Sequence, residues 1–254
     1  MNNYSKTNEV DVPGSPEEVW QAIATGPGHA TWLFPADIEP AEGGAMVIHR
    51  KPYSDDADVT VTVWDPPRRF GFDEPIGPDA PALTTEILVA AKRGGGCVVR
   101  VVSGLSGDTT GWEELIDGVS EGWRMALIVL RAYLTHFAGL SSSNFDVVVD
   151  LGRPHADRDR AFAELVEFLG LTGLACGASF RASDVAGTIE HVSQGYVLLR
   201  VVEPYSALFA ISCFPMGQDA PLSVNMIARL YGAPDGVAER ERVRWQTRLD
   251  EVRG

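Results

Sequence analysis

The side chains able to do chemistry are few and scattered. The histidines are His29, His49, His136, His155 and His191. None stands in an HExxH pattern or beside a CxxC pair, the spacings that bring zinc ligands together, so no metal site is expected. His155-Ala156-Asp157-Arg158-Asp159 gathers several ligand-type residues. Acids at that place also suit the solvated start of a helix, where they oppose its dipole, and that is the reading adopted. The chain has no GxxxxGK[ST] loop, no GxGxxG after a strand and no GxSxG. Gly94-Gly95-Gly96 leads into the strand-like run Cys97-Val98-Val99 rather than a helix, so it reads as a hairpin turn. No catalytic set is assigned and no cofactor is expected. Two acid–base candidates stand on strand-like runs, His49 beside Arg50, and Glu86. His49 could bond a ligand or take a proton if its strand turns it inward, and is a surface residue otherwise.

Large apolar and aromatic side chains are better placed than the polar ones. In Gly111–Phe137, residues Trp112, Leu115, Ile116, Val119, Trp123, Ala126, Leu127, Leu130, Tyr133, Leu134 and Phe137 recur at steps of three and four. That spacing predicts one long amphipathic helix, roughly 40 Å at 1.5 Å per residue. Strand-like runs precede it at Tyr4–Val12, Ile38–Glu42, Ala45–Lys51, Val59–Trp64, Phe70–Asp73, Leu83–Lys92 and Cys97–Ser103. Ser15-Pro16-Glu17-Glu18 has the residues of a capped helix start, with Glu18 three after Ser15 as in a capping box. A second short helical piece is expected over Gly28–Leu33. The predicted class is α+β, a curved antiparallel sheet gripping the long helix.

Such a grip leaves room for a small apolar molecule between helix and sheet. The residues expected to line that space are Trp32, Phe34, His49, Val99, Val101, Trp112, Val119, Trp123 and Leu127. Val99 and Val101 are chosen because Arg100, between them, suits the wet face.

Leu140-Ser141-Ser142-Ser143-Asn144 is a small, mostly polar stretch and marks the boundary between a first domain, 1–139, and a second, 145–254. The second repeats the order strand, helix, strands, helix. Its opening helix, Ala156–Leu169, carries Phe162, Leu165, Val166 and Leu169 on one face, and its closing helix carries Trp245, Leu249 and Val252. It reads as a smaller α+β domain, a shortened form of the first.

The formal charge of −14 and pI near 4.7 argue against nucleic acid and against anionic lipid as partners, since both need a basic face. No apolar run approaches a membrane span, and the polar start MNNYSKTNEVDV has no signal-peptide core. Cys97, Cys176 and Cys213 are odd in number and far apart, which suits a reducing cytoplasm.

One ordered set of motifs carries a family resemblance. It comprises Ser15-Pro16-Glu17-Glu18-Val19-Trp20, Trp32, Gly43-Gly44 before a strand, Asp65-Pro66-Pro67-Arg68-Arg69-Phe70, Gly94–Gly96, Ser103-Gly104, and Gly122-Trp123 through Tyr133-Leu134. In that order, over about residues 9–138, it resembles the SRPBCC (START-like, helix-grip) superfamily, in the branch of the activator of 90-kDa heat-shock protein ATPase. The strand after Gly43-Gly44 lacks the family's aromatic, and Gly111-Trp112 extends the long helix upstream. The resemblance implies a helix-grip, and it admits ligand carriers, cyclases and chaperone cofactors alike.

Three functions follow. A non-enzymatic module for a small apolar ligand comes first, because the long helix is aromatic and no catalytic constellation stands out. A protein-interaction module of the chaperone-activator kind comes second. A cyclase or hydrolase using polar groups in the same cavity comes third.

Overall fold

Runs rich in β-branched and other apolar residues, punctuated by glycine and proline, build two antiparallel sheets, one in each of two compact units, Met1–Gly139 and Leu140–Gly254. The computed structural model describes residues 5–77, 80–106, 111–173, 175–182, 184–215 and 221–253. Tyr4, at the start of the expected first strand, lies outside the described residues.

The first unit runs β1 (Ser5–Val12), α1 (Pro16–Ala24), α2 (Gly26–His29), β2 (Ala36–Ile38), β3 (Ala45–Ile48), β4 (Ala57–Asp65), β5 (Arg69–Glu74), β6 (Leu83–Ala91), β7 (Cys97–Leu105) and α3 (Glu113–His136). The sheet order is β1-β7-β6-β5-β4-β3-β2, so the first strand closes against the last. α3 lies across β1 and β7, the helix-grip arrangement. α1 begins as its sequence dictates. Ser15 Oγ accepts the Glu18 amide at 3.2 Å, and Glu18 Oε2 accepts the Ser15 amide at 2.7 Å. These bonds satisfy two amides that a helix start otherwise leaves bare.

Local departures have local causes. The short second helix comes at 26–29 rather than 28–33, because Thr25 Oγ1 caps it by accepting the Gly28 amide at 3.1 Å. The strand expected at 38–42 instead ends at Ile38. Pro40 has no amide to offer a ladder, and Glu39 turns back to accept the Ala45 amide at 3.1 Å. β3 stops at Ile48, three residues short of Lys51, where Asp56 takes the Arg50 amide at 3.3 Å. In β4 a bulge between Val61 and Val63 interrupts the alternation. It sets Trp64 opposite Phe70, on the core side, where its ring meets Trp20 at 5.2 Å and Phe70 at 5.7 Å. The Gly94-Gly95-Gly96 hairpin forms as read. All three have φ between 76° and 105°, which side chains resist, and Lys92 donates to Gly96 O at 2.9 Å.

The second unit runs β8 (Ser142–Arg153), a 3-10 turn at His155–Asp157, α4 (Arg158–Phe168), β9 (Ser179–Ala182), β10 (Val185–Ser193), β11 (Tyr196–Glu203), β12 (Ala207–Pro215), β13 (Leu222–Tyr231) and α5 (Val237–Asp250). Its sheet order is β8-β13-β12-β11-β10-β9, again first strand beside last. It is the same winding with six strands instead of seven. β8 begins at Ser142, so three of the five residues of the polar stretch 140–144 belong to this strand. Phe162, Leu165 and Leu169 of the opening helix region, with Trp245 and Leu249 of α5, enter one core with the strands. His155 and its neighbours form the exposed turn before α4, where Arg160 pairs with Asp157 at 2.9 Å. Among the described residues no three His, Cys, Asp or Glu side chains group to hold a metal ion, and no helix is long and apolar enough to cross a membrane.

Candidate ligand site on the first sheet

Register fixes which face of the first sheet meets α3. Residues directly opposite in an antiparallel ladder share a face. Ser103 pairs with Lys6 and with Thr85, Val101 with Asn8 and Ile87, and Val99 with Val10 and Val89. Asn8 Nδ2 donates to Ser120 O at 3.2 Å and Ser120 Oγ at 3.0 Å, and Lys6 Nζ meets Asp117 at 2.9 Å. Ser120 and Asp117 belong to α3, so this is the gripped face. Val99 and Val101 are fully buried on it, as the Arg100 alternation requires.

α3 is unevenly covered. From Ala126 to Phe137 its apolar stripe is buried, with Leu127 at 2% exposure and Leu130 at 0%. In the first half, Ile116 is buried, whereas Trp112, Val119 and Trp123 are half-buried and Leu115 is exposed. Trp123 lies 6.4 Å from Trp32, ring centre to ring centre. Trp32 is buried and held by its indole N–H, which donates to Ala22 O at 2.9 Å. Next to it, His29 bonds the Phe34 carbonyl through Nδ1 at 2.5 Å. Phe34 itself is half-buried and packs edge-on against Tyr53 at 5.6 Å. Thus Val99, Val101 and Leu127 stand on the gripped face, and Trp32 and Trp123 meet. Trp112 stands at the N-cap of α3 and makes no side-chain capping bond.

His49 is turned the other way. Met46 and Ile48 take the core side of β3, so His49, one residue on, faces out. There Nδ1 meets Asp56 at 2.9 Å and Nε2 meets Asp37 at 3.1 Å. The bond to Asp56, then that to Asp37, holds the imidazole pKa above its ordinary value. Glu86 likewise lies on the outer face, accepting from Arg69 Nε at 2.6 Å. Neither acid–base candidate reaches the grip, because strand alternation sends both outward.

The polar groups that do face inward escaped the sequence reading. Thr85 and Ser103 are buried at 4% and 2% exposure, with their hydroxyls 3.3 Å apart. Glu74, two residues beyond Phe72 on the same side of β5, is buried and takes a two-pronged bond from Arg50 at 2.7 and 2.6 Å. A usable signal existed in the period of two, which puts Ser103 with Val99 and Val101 and Thr85 with Ile87 and Val89.

Residues 13–135 match the family model described as activator of Hsp90 ATPase homolog 1-like protein. That match takes in most of the first unit and none of the second. No match was found among curated proteins. Among solved structures, a likeness is found to protein MLL2253 of Mesorhizobium loti, at 18% identity over 53% of this chain and 98% of that one, TM-score 0.48. DynU16, from the dynemicin biosynthetic locus, aligns over 98% of this chain and 99% of its own at 15% identity and TM-score 0.45. BexL, the di-domain ARO/CYC of the BE-7585A biosynthetic pathway, aligns over 99% and 95% at 14% and 0.45. Within the activator-like unit, an open concavity of about 680 Å³ lies along β2 and β3, bordered by Gly26, Pro27, Asp37, Glu39 and Val47, and no α3 residue lines it.

Proposed function

We propose that the first unit is a non-enzymatic binding module that holds a small apolar molecule against the first half of α3. The observation that supports this is the half-buried Trp123 beside buried Trp32, on a helix whose apolar stripe is covered in its second half and only partly covered in its first. Trp123 and Val119 offer apolar area that a ligand would remove from water, at about 25 cal/mol per Å². Val99, Val101 and Leu127 form the floor of this reading. The exposed Leu115, flanked by Glu113, Glu114 and Asp117, favours a second reading, in which the start of α3 docks a protein with an apolar centre and a basic rim. The family's description as an ATPase activator agrees with that alternative. The three free cysteines fit a reducing compartment, and we place the protein in the cytoplasm.

Native mass spectrometry of the purified chain tests for a co-purifying small molecule. Titration with fatty acids, flavonoids and aromatic ketones should quench or blue-shift one fluorescence component. That component should vanish in Trp123→Phe, which keeps most of the bulk and therefore the binding. No bound mass and no spectral response to any class would reject the ligand reading and leave the protein-docking one.

A further inference from the structure

The buried hydroxyls of Thr85 and Ser103 face each other in the middle of the gripped face, and their arithmetic does not close. Each hydroxyl carries one proton and two lone pairs. Among the described residues their mutual contact at 3.3 Å is the one hydrogen bond either side chain makes, and it uses one proton. Among the described residues the second proton has no acceptor, although both residues are more than nine-tenths buried. Along the strands stand Ile87, Val89, Val99 and Val101, and across them stand Phe72 and Lys6, the latter spent on Asp117. An apolar pair such as valine and alanine would fill the same positions without leaving a buried donor unmatched, which is costly. The pair lies under the start of α3, because Lys6, opposite Ser103, reaches Asp117.

We propose that Thr85 and Ser103 set the specificity of the site, selecting an apolar molecule that carries an accepting oxygen, a ketone or other carbonyl, over the same molecule without it. This rests on the ligand-binding reading above and names the chemistry of its ligand. The ligand oxygen takes the spare hydroxyl proton while its apolar body lies against Val119 and Trp123. A site built around a polar contact rejects an analogue lacking it, because the donor is then left unmatched.

The test is equilibrium dialysis of the full chain with 1-tetralone and with tetralin, two molecules of one shape that differ by a carbonyl. The wild type should bind tetralone at least about tenfold more tightly after correction for each compound's water solubility, a difference of about 1.4 kcal/mol. Thr85→Val/Ser103→Ala should lose that preference while keeping or improving its affinity for tetralin. Thr85→Ser, which keeps both hydroxyls, should retain the preference. If the double variant fails to fold, Ser103→Ala alone carries the comparison, with the preference expected to fall. Equal binding of both probes by the wild type overturns this inference and leaves the ligand reading standing. An unchanged preference in the variants overturns it as well. Binding of neither probe, with no response to the wider ligand panel, removes both.

Discussion

Leu130→Ala probes whether α3 is gripped as described. Leu130 is fully buried, within a stretch where Leu127, Ala126 and Leu134 are also covered. α3 rests on β1 and β7, and β7 is held between β1 and β6. A strand bonded on both sides cannot move to refill a void. The substitution removes three carbons, worth about 2 kcal/mol in lost transfer free energy. A residual void of about 50–100 Å³ at about 24 cal/mol per Å³ adds roughly 1–2.5 kcal/mol. The expected loss is thus about 3–4.5 kcal/mol, a large part of a typical domain's 5–15 kcal/mol. Five of the six tryptophans, all but Trp245, lie in the first unit, so urea unfolding followed by indole fluorescence reports mainly on that unit. With a slope of about 1–3 kcal/mol/M, the midpoint should fall by about 1–4 M at unchanged slope. Leu115→Ala, on the exposed turn, should shift it by less than about 0.5 M. Equal midpoints for Leu130→Ala and wild type, or a larger shift for Leu115→Ala, would refute the packing argument.

Cys176 is exposed whereas Cys97 and Cys213 are buried, and burial pushes the Cys213 thiol up to about 11. Native alkylation at pH 8 should therefore modify one thiol quickly, with all three reacting only after denaturation; rapid loss of two or three would show an open core. The raised pKa of His49 means that its bonds to Asp56 and Asp37 stabilise the fold fully below the unfolded imidazole value, and that this is lost as pH rises through the higher folded value. The midpoint difference between wild type and His49→Gln should accordingly shrink from pH 6 to pH 9, and a difference that grows would contradict the pairing. We also propose that residues 1–139 fold alone. Limited proteolysis should cut within the exposed residues 138–141, before β8 begins, and the N-terminal fragment should keep its far-ultraviolet dichroism.

The helix-grip was legible because its signals are local and repeated. The three- and four-step stripe of α3, the Ser15–Glu18 capping box and the three-glycine hairpin each depend on a few neighbouring residues. The misjudged strand ends depend on contacts a linear reading does not contain. Glu39 reaching Ala45, Asp56 taking the Arg50 amide and the β4 bulge that turns Trp64 inward all involve a partner chosen by folding. The site was read on the same terms. Val99, Val101 and Leu127 follow from periodicity, and so they stand on the gripped face. His49 was ambiguous because a strand's period of two offers both faces equally until its register is known. The Arg50–Glu74 and Thr85–Ser103 pairs bring together residues 24 and 18 apart, a juxtaposition that only the folded sheet supplies.

The two grips share a winding but differ in what their strands turn inward. In the second, Phe145, Val147, Val149, Val197, Leu199, Val201, Phe209, Ile211, Cys213, Val224, Met226 and Ala228 make the apolar part of the core, and the strands also bury Asn225, Arg229 and Tyr196, with Asn225 Oδ1 and the Tyr196 hydroxyl lacking a hydrogen-bond partner among the described residues. In the first, equivalent ladders carry Lys6, Asn8, Glu74, Thr85 and Ser103 on the gripped face. Of these Glu74, Thr85 and Ser103 are buried, which costs free energy unless a partner compensates. Lys6, Asn8 and Glu74 find theirs within the first unit, in Asp117, Ser120 and Arg50. The hydroxyl pair leaves a proton over. The half-buried Trp123 beside Trp32, together with the inward hydroxyls of Thr85 and Ser103, is why we propose binding in the first unit.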